Sequence, residues 1–420
     1  MKKLALHWKI LIGMTLGVVF GLVMSYVVGG SQFVGDYIKP FGTIFINLLK
    51  LIAIPLILAS LIKGVSDLKD ISKLSQMGGR TILTYISTTL VAVVIGLILV
   101  NTIQPGKSIS VETRKELVVA YASDANQKRE AAAKQSSAGP LQALVDIVPS
   151  NIFAAASNNR NMLQIIFFAM FFGIGIILIP EKESTSVKSF FDSFNAVILK
   201  LIDLIMLAAP YGVFALLAAL VVEAPSLELF KALALYAVTL LLGLAAMIGV
   251  YAIFVRVVVK KSTSFFFKGI APAQLLAFST SSSAATLPVT MECVEDNLGV
   301  DKEVTSFVLP IGATINMDGT SVYQGVAAVF IAQAFGLDLS LAAQLGIIFT
   351  ATLASIGTAA VPSAGIVMLV IVLAQAGIPE AGLALIFAID RPLDMCRTVV
   401  NVTGDAAVSM FVAKSIGKLK

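Results

Sequence analysis

Long apolar runs, broken at intervals by short polar stretches, dominate the chain. They lie near residues 8–29, 40–65, 80–104, 162–180, 190–222, 228–258, 305–335 and 380–414. At 1.5 Å of rise per residue, each is long enough as a helix to cross a hydrocarbon core about 30 Å thick. Two further apolar segments have a different rhythm. Residues 263–293 and 341–378 each place two apolar arms around a small polar tip. The tips are Ser279-Thr280-Ser281-Ser282-Ser283 ahead of Pro288, and Ser355-Ile356-Gly357-Thr358 ahead of Pro362. An arm of about a dozen residues makes only about 18 Å of helix, too short to cross. The pattern predicts re-entrant helical hairpins that enter to the midplane, turn and leave again, with the exposed backbone of each tip held against protein or water. Ordinary spans with small residues at helix contacts are the alternative. Two hairpins, each followed by a helix carrying Asn and Asp, read as a structural repeat, an arrangement in which transporters hold substrate at the repeat interface. The expected fold is therefore an all-α polytopic membrane protein of eight transmembrane helices plus two re-entrant hairpins.

Composition agrees. The chain of 420 residues is 58% hydrophobic and 13% charged, against about a quarter charged in ordinary soluble domains. The formal charge of +5 is scattered between apolar runs and predicts no nucleic-acid partner. Cys293 and Cys396, the only cysteines, make neither a disulfide framework nor a zinc site. The only histidine, His7, precedes the first span, which excludes a histidine proton relay. No cleavable signal is evident, and Trp8 reads as an interface anchor. Lys2, Lys3 and Lys9 precede or begin the first run. Lys63, Lys69, Lys73 and Arg80, then Lys182 and Lys188, then Arg256, Lys260 and Lys261, and finally Lys414, Lys418 and Lys420 mark alternate turns. The positive-inside tendency then puts both termini in the cytoplasm. The long polar loop 106–141 falls outside by count, and its own Lys and Arg residues run against that tendency.

The last run, "AIDRPLDMCRTVVNVTGDAAVSMFVAK", carries the most chemistry. At 100° per residue, Asp390, Asp394, Arg397, Asn401 and Asp405 share a stripe about 80° wide, with Thr398 at its edge. A charge in hydrocarbon costs at least about 2.5–3.5 kcal/mol, so this stripe faces protein or water. A set of ion pairs bracing the bundle would use Asp394 and Arg397, but it leaves Gly404, Asn401 and Asp405 without a purpose. A second polar string, Asn316-Met317-Asp318-Gly319-Thr320, interrupts the run 305–335. Arg offers a planar fork for a carboxylate, and Asp394 can accept from an ammonium. Asp318, Asp405, Asn316, Asn401 and broken-helix carbonyls are hard oxygen donors suited to hard cations. The acids Asp318, Asp390, Asp394 and Asp405 outnumber Arg391 and Arg397. Such a site repels an anionic substrate until cations arrive, which is the electrostatic logic of coupled symport.

The strings "SSSAATLPVT", "GATINMDGT", "ASIGTAAVP" and "RTVVNVTGD", in that order, resemble the dicarboxylate/amino acid:cation symporters, which include the excitatory glutamate transporters and archaeal sodium–aspartate transporters. The resemblance covers nearly the whole chain. It implies an inverted-repeat elevator transporter, assembled as a homotrimer in the lipid bilayer of a bacterial or archaeal cell membrane. Residues 1–78 and 142–225 would form the trimerising scaffold, and 79–105 and 226–420 the moving transport domain. Hairpin two would be the outer gate. Arg397 would bind the side-chain carboxylate of an acidic amino acid and Asp394 its amino group. Thr398, Asn401, Ser283, Thr320, Val361 and Gly365 would complete the substrate site. One sodium ion would sit on Asp405 with carbonyls of Gly312, Asn316 and Asn401. A second would use carbonyls of Thr314, Ser355, Ile356 and Thr358, and a third Tyr85, Thr88, Thr89, Asn316 and Asp318.

Departures from the resembled pattern carry information. Archaeal members have an arginine in hairpin one where this chain has Ser281, and Arg391 stands in the last helix to supply that charge. Eukaryotic members have a glutamate where this chain has Gln324, which weakens the case for proton co-transport or potassium counter-transport. Asp394 argues for an amino acid over a C4-dicarboxylate, and Arg397 for an acidic one over a neutral one. The expected function is sodium-coupled uptake of L-aspartate or L-glutamate, and not catalysis. The alternatives are proton-coupled glutamate, aspartate or C4-dicarboxylate symport, a passive channel and, remotely, an intramembrane aspartyl protease on Asp318 and Asp405.

Overall fold

The structure, a computed structural model, describes residues 6–66, 75–110, 148–157, 162–223, 227–358 and 364–420. Lys69 and Lys73, most of the 106–141 loop, and Val361 with the turn of the second predicted hairpin lie outside the described residues. Among the described residues the chain is helical, and its only β pairing is an isolated bridge between Val300 and Leu419. The principal helices are α1 (Leu6–Ser25), α2 (Lys39–Ser66), α3 (Ser75–Ile103), α4 (Met162–Leu178), α5 (Glu181–Leu207), α6 (Ala209–Glu223) and α7 (Leu227–Phe254). They are followed by α8 (Thr263–Thr280), α9 (Ser283–Glu292), α10 (Lys302–Ile315), α11 (Asp318–Ala334), α12 (Leu341–Gly357), α13 (Ala364–Gln375) and α14 (Leu383–Ser415).

Among the described residues, three helical stretches are individually long and apolar enough to cross a bilayer: Gly30–Lys63, Met77–Ser108 and Glu228–Val259. The run at 190–222 is not one straight span. It is α5 and α6, bent by 51° at Ala208. Pro210 lies in the first turn of α6, where its missing N–H costs nothing, but it cannot continue the hydrogen-bond ladder of α5. The run 305–335 is likewise two helices, α10 and α11, parted at Asn316-Met317. α14 is long but carries the charged stripe. In the last two of these elements polar chemistry interrupts a simple apolar span.

Two packing groups are visible. α1, α2, α4, α5 and α6 pack mainly on one another, while α3 and α7 to α14 gather around α11 and α14. The contact of α1 with α6 comes from a glycine ladder. A Cβ at Gly13, Gly17 or Gly21 would strike the carbonyl of Pro210, Phe214 or Ala218 respectively. Small residues four apart let two helix backbones meet closely, which is how helices associate where lipid offers no hydrophobic drive. Gly17→Leu is expected to push α1 from α6 and lower the thermal unfolding midpoint in detergent, at an overpacking cost of about 1–3 kcal/mol. An unchanged midpoint would show that the ladder is dispensable. Large apolar side chains on outer faces, such as Leu16, Val23, Leu51, Ile98 and Leu242, are exposed, as a lipid-facing surface requires.

Serine chemistry shapes the first interrupted pair. Ser281 adopts a left-handed conformation (φ 52°) that ends α8, and its N–H donates to the carbonyl of Ala277. The Ser282 hydroxyl accepts from Ala285 N–H at 3.1 Å and so starts α9. The two arms pack against each other, and Gln274 Nε2 donates to Thr403 Oγ1 at 2.9 Å, tying α8 to α14. In the second pair, α12 and α13 also pack together. The hydroxyl of Thr358 returns to the carbonyl of Ala354 at 2.7 Å as α12 ends.

Candidate functional site

The break between α10 and α11 sits against the middle of α14, and three contacts hold it. Gly319 N–H donates to Asn401 Oδ1 at 2.8 Å. Asn401 Nδ2 donates to Met317 Sδ at 3.3 Å, and Asn316 Nδ2 donates to the Asn401 carbonyl at 3.3 Å. A side chain at Gly319 would collide with the Arg397 carbonyl, so only glycine lets the start of α11 lie this close to α14. From α12, the Ser355 hydroxyl accepts from Met317 N–H at 3.1 Å and donates to the Ile315 carbonyl at 3.0 Å. The backbone groups that a broken helix would leave unpaired in an apolar interior are thus partly satisfied by side chains of two other helices.

Two polar neighbourhoods flank the break. In the first, Arg397 is fully buried. Its Nη2 donates to Asp390 Oδ1 at 2.9 Å and to Asp394 Oδ1 at 2.8 Å. Arg391 Nη1 approaches the other oxygen of Asp394 at 3.3 Å. The ring of Tyr323 lies under the guanidinium, 3.8 Å from ring centre to Cζ. One nitrogen of the fork is therefore spent, while Nε and Nη1 have no protein hydrogen-bond partner. Nη1 faces α13 and the start of α11. A Cβ built at Gly365 would come within 3.7 Å of Nη1 and 3.0 Å of Thr320 Cγ2. An arginine held through Nη2 by two carboxylates, with Nη1 left unpartnered toward α13, is suited to an anionic carboxylate ligand. Ser283, in the first turn of α9, is buried with its hydroxyl unpartnered.

The second neighbourhood is built on carboxylates. The Asp318 carboxylate accepts from Thr89 Oγ1 of α3 at 2.7 Å and from the hydroxyl of Tyr251 of α7. Asp405 Oδ1 accepts from Asn316 Nδ2 at 2.9 Å, which leaves Asn316 Oδ1 buried and unpartnered. Tyr85 donates to the Val308 carbonyl at 3.2 Å. A Cβ at Gly312 would meet both the Tyr85 hydroxyl and Asp405. Gly312, Asn316, Asn401, Asp405, Tyr85, Thr89 and Asp318 thus form one continuous oxygen-rich region, and Thr88 hydrogen-bonds the Tyr85 carbonyl beside it. An orphaned carboxamide oxygen among carboxylates is a donor set fitted to a hard cation.

Several of the expected residues also make contacts within the protein through their side chains. The Thr398 hydroxyl is spent on the Asp394 carbonyl at 2.9 Å, and the Asn401 side chain on the chain break. Thr314 is exposed and bonds back to its own helix, while Ser355 engages the break through its hydroxyl. Arg391, which lies off the stripe, still reaches Asp394 at 3.3 Å. Sequence reasoning missed Tyr251 and Tyr323 altogether. It placed Asp390 on the stripe but gave it no role. Tyr251 shows only as one hydroxyl inside the apolar string "MIGVYAIF", and Tyr323 only as the tyrosine after "MDGTSV".

An all-helical chain whose apolar helices enclose a half-used arginine fork beside buried carboxylates has the build of a membrane carrier for small charged solutes. The chain belongs to the sodium:dicarboxylate symporter family, which it matches over residues 6–415. The family consists of transporters. The chain is 35% identical to the proton/sodium-glutamate symport protein of Geobacillus stearothermophilus over 419 residues, covering 100% of this chain and 96% of that one. It is 38% identical to excitatory amino acid transporter 3 of Mus musculus, covering 97% of this chain and 85% of the relative. It is 32% identical to the proton/glutamate-aspartate symporter of Escherichia coli, covering 98% and 93%.

Proposed function

We propose that this protein takes up L-aspartate or L-glutamate by sodium-coupled symport. The observation that carries the reading is Arg397: a buried guanidinium fixed through Nη2 by Asp390 and Asp394, with its unpartnered Nη1 beside Gly365, next to Thr320. The free Nη1 takes the side-chain carboxylate, and Asp394, paired to the neighbouring Nη2, takes the ammonium. Ser283 closes the pocket from the tip between α8 and α9, and Val361, outside the described residues, is assigned to the substrate site by the resemblance alone. Sodium ions are cargo on the Asp405 set, on the Thr314, Ser355, Ile356 and Thr358 carbonyls, and on the Asp318 set. Coupling follows from charge. Without cations the buried acids repel an anionic substrate, and with cations in place the field reverses. The two packing groups suit a fixed scaffold and a moving carrier, assembled as a homotrimer with both termini in the cytoplasm and hairpins that gate the site from either side. Proton coupling is the second reading, favoured by the name of the Escherichia coli relative.

Calorimetric titration of purified protein with L-aspartate and L-glutamate, in sodium chloride and in choline chloride, tests the binding part. Tight binding in sodium alone is expected. Equal affinity in choline would overturn the coupling.

A further inference from the structure

Tyr251 lies on α7, an otherwise apolar helix, and none of the residues assigned above to substrate or cation sites comes from that helix. It is fully buried, and its hydroxyl donates to Oδ2 of Asp318. Thr89 of α3 holds Oδ1 at 2.7 Å. The carboxylate is thereby clamped between two hydroxyls from two helices, which sets the plane in which its remaining lone pairs lie. The tyrosine hydroxyl also reaches further. A Cβ at Gly404 of α14 would collide with it, and would lie 2.7 Å from Asn316 Nδ2. Gly404 therefore leaves room on α14 for both the Tyr251 hydroxyl and the Asn316 amide, and Asn316 donates to Asp405 at 2.9 Å. One hydroxyl stands at the junction of the Asp318 and Asp405 sets. Burial alone does not explain it. Tyr236, on the same helix and equally buried, leaves its hydroxyl unpartnered and stacks on Phe330 at 4.7 Å. Packing satisfies a tyrosine here without any polar aim, and only Tyr251 is aimed at an acid.

We propose that Tyr251 is a positioning residue of the cation site at Asp318, orienting the carboxylate so that it sets the affinity for a small monovalent cation. The proposal rests on the reading of Asp318 as a cation site. A buried donor to a charged group is worth enough that its removal changes an equilibrium roughly tenfold. A packing role would leave cation affinity untouched, because phenylalanine fills the same volume.

The test compares the full-length protein with Tyr251→Phe, purified in detergent, by two readouts. One is the rise in thermal unfolding midpoint as sodium chloride replaces choline chloride. The other is the sodium concentration giving half-maximal aspartate uptake in proteoliposomes. In Tyr251→Phe the half-saturating sodium concentration is expected to rise roughly tenfold, with the aspartate KM at saturating sodium unchanged. A variant that melts earlier but keeps the wild-type sodium midpoint would overturn the proposal and leave Tyr251 a packing residue. If Tyr251→Phe does not fold, Gly404→Ala displaces the same hydroxyl, and an unaltered sodium midpoint there counts equally against it. A wild-type protein with no sodium-specific stabilisation or uptake would overturn both the proposal and the reading beneath it, and is recognised from the wild type alone.

Discussion

Arg397→Cys is expected to abolish binding and uptake of aspartate and glutamate while leaving room for a small neutral amino acid. Among the described residues, Arg397 is the guanidinium whose unpartnered Nη1 lies beside Gly365, next to Thr320, since Arg391 is turned to Asp394. Losing a charge-assisted contact in a desolvated pocket weakens binding by roughly a hundredfold or more. Arg397→Lys keeps the charge without the plane and is expected to recover little, because an ammonium cannot serve Asp390, Asp394 and a ligand carboxylate in one geometry. A stability cost accompanies the change. Asp390 is 3% exposed and takes its ion pair from Arg397, so truncation strands a buried carboxylate at about 3–5 kcal/mol. Binding of labelled aspartate and neutral competitors to the purified variant checks this. Unchanged aspartate affinity would remove Arg397 from the substrate site.

Asp318→Asn is expected to uncouple transport from sodium. The amide keeps the shape of the carboxylate but carries no charge. It also turns an N–H₂ toward one of the hydroxyls of Thr89 and Tyr251, both of which donate to Asp318. Loss of a full ligand charge in a buried oxygen site raises the half-saturating sodium concentration by roughly a hundredfold or more, a larger change than removing a donor to that charge. Sodium titration of aspartate binding and of the unfolding midpoint reads it directly. A titration with wild-type midpoint and steepness would show that the Asp318 site takes no cation.

The elements that the sequence disclosed most clearly are those where hydrocarbon penalises polarity. Asp390 to Asp405 stood on one face of a helix because a buried charge must have company, and the structure places that face against the α10–α11 break. The break itself was legible in Asn316-Met317-Asp318-Gly319-Thr320. The serine tip of the first interrupted pair was legible too, since Ser281 and Ser282 are the residues that end one helix and start the next. Less was legible where backbone geometry decides. The close lie of α6 along the glycine ladder of α1 is a contact between segments nearly two hundred residues apart. Hydroxyl direction was illegible for a related reason. Tyr236 and Tyr251 look alike as tyrosines in an apolar helix, and only tertiary packing turns one toward Phe330 and the other toward Asp318. The helical stripe likewise shows that Thr398 and Asn401 share the face, but not that both side chains are engaged by the protein itself.

The central claim is that a sodium gradient drives an acidic amino acid uphill through this protein. The most direct measurement is uptake of radiolabelled aspartate and glutamate into proteoliposomes with the sodium and proton gradients imposed separately. Accumulation above the external concentration with an inward sodium gradient and no pH difference is the predicted result. Equal accumulation with an inward proton gradient in the absence of sodium would contradict it.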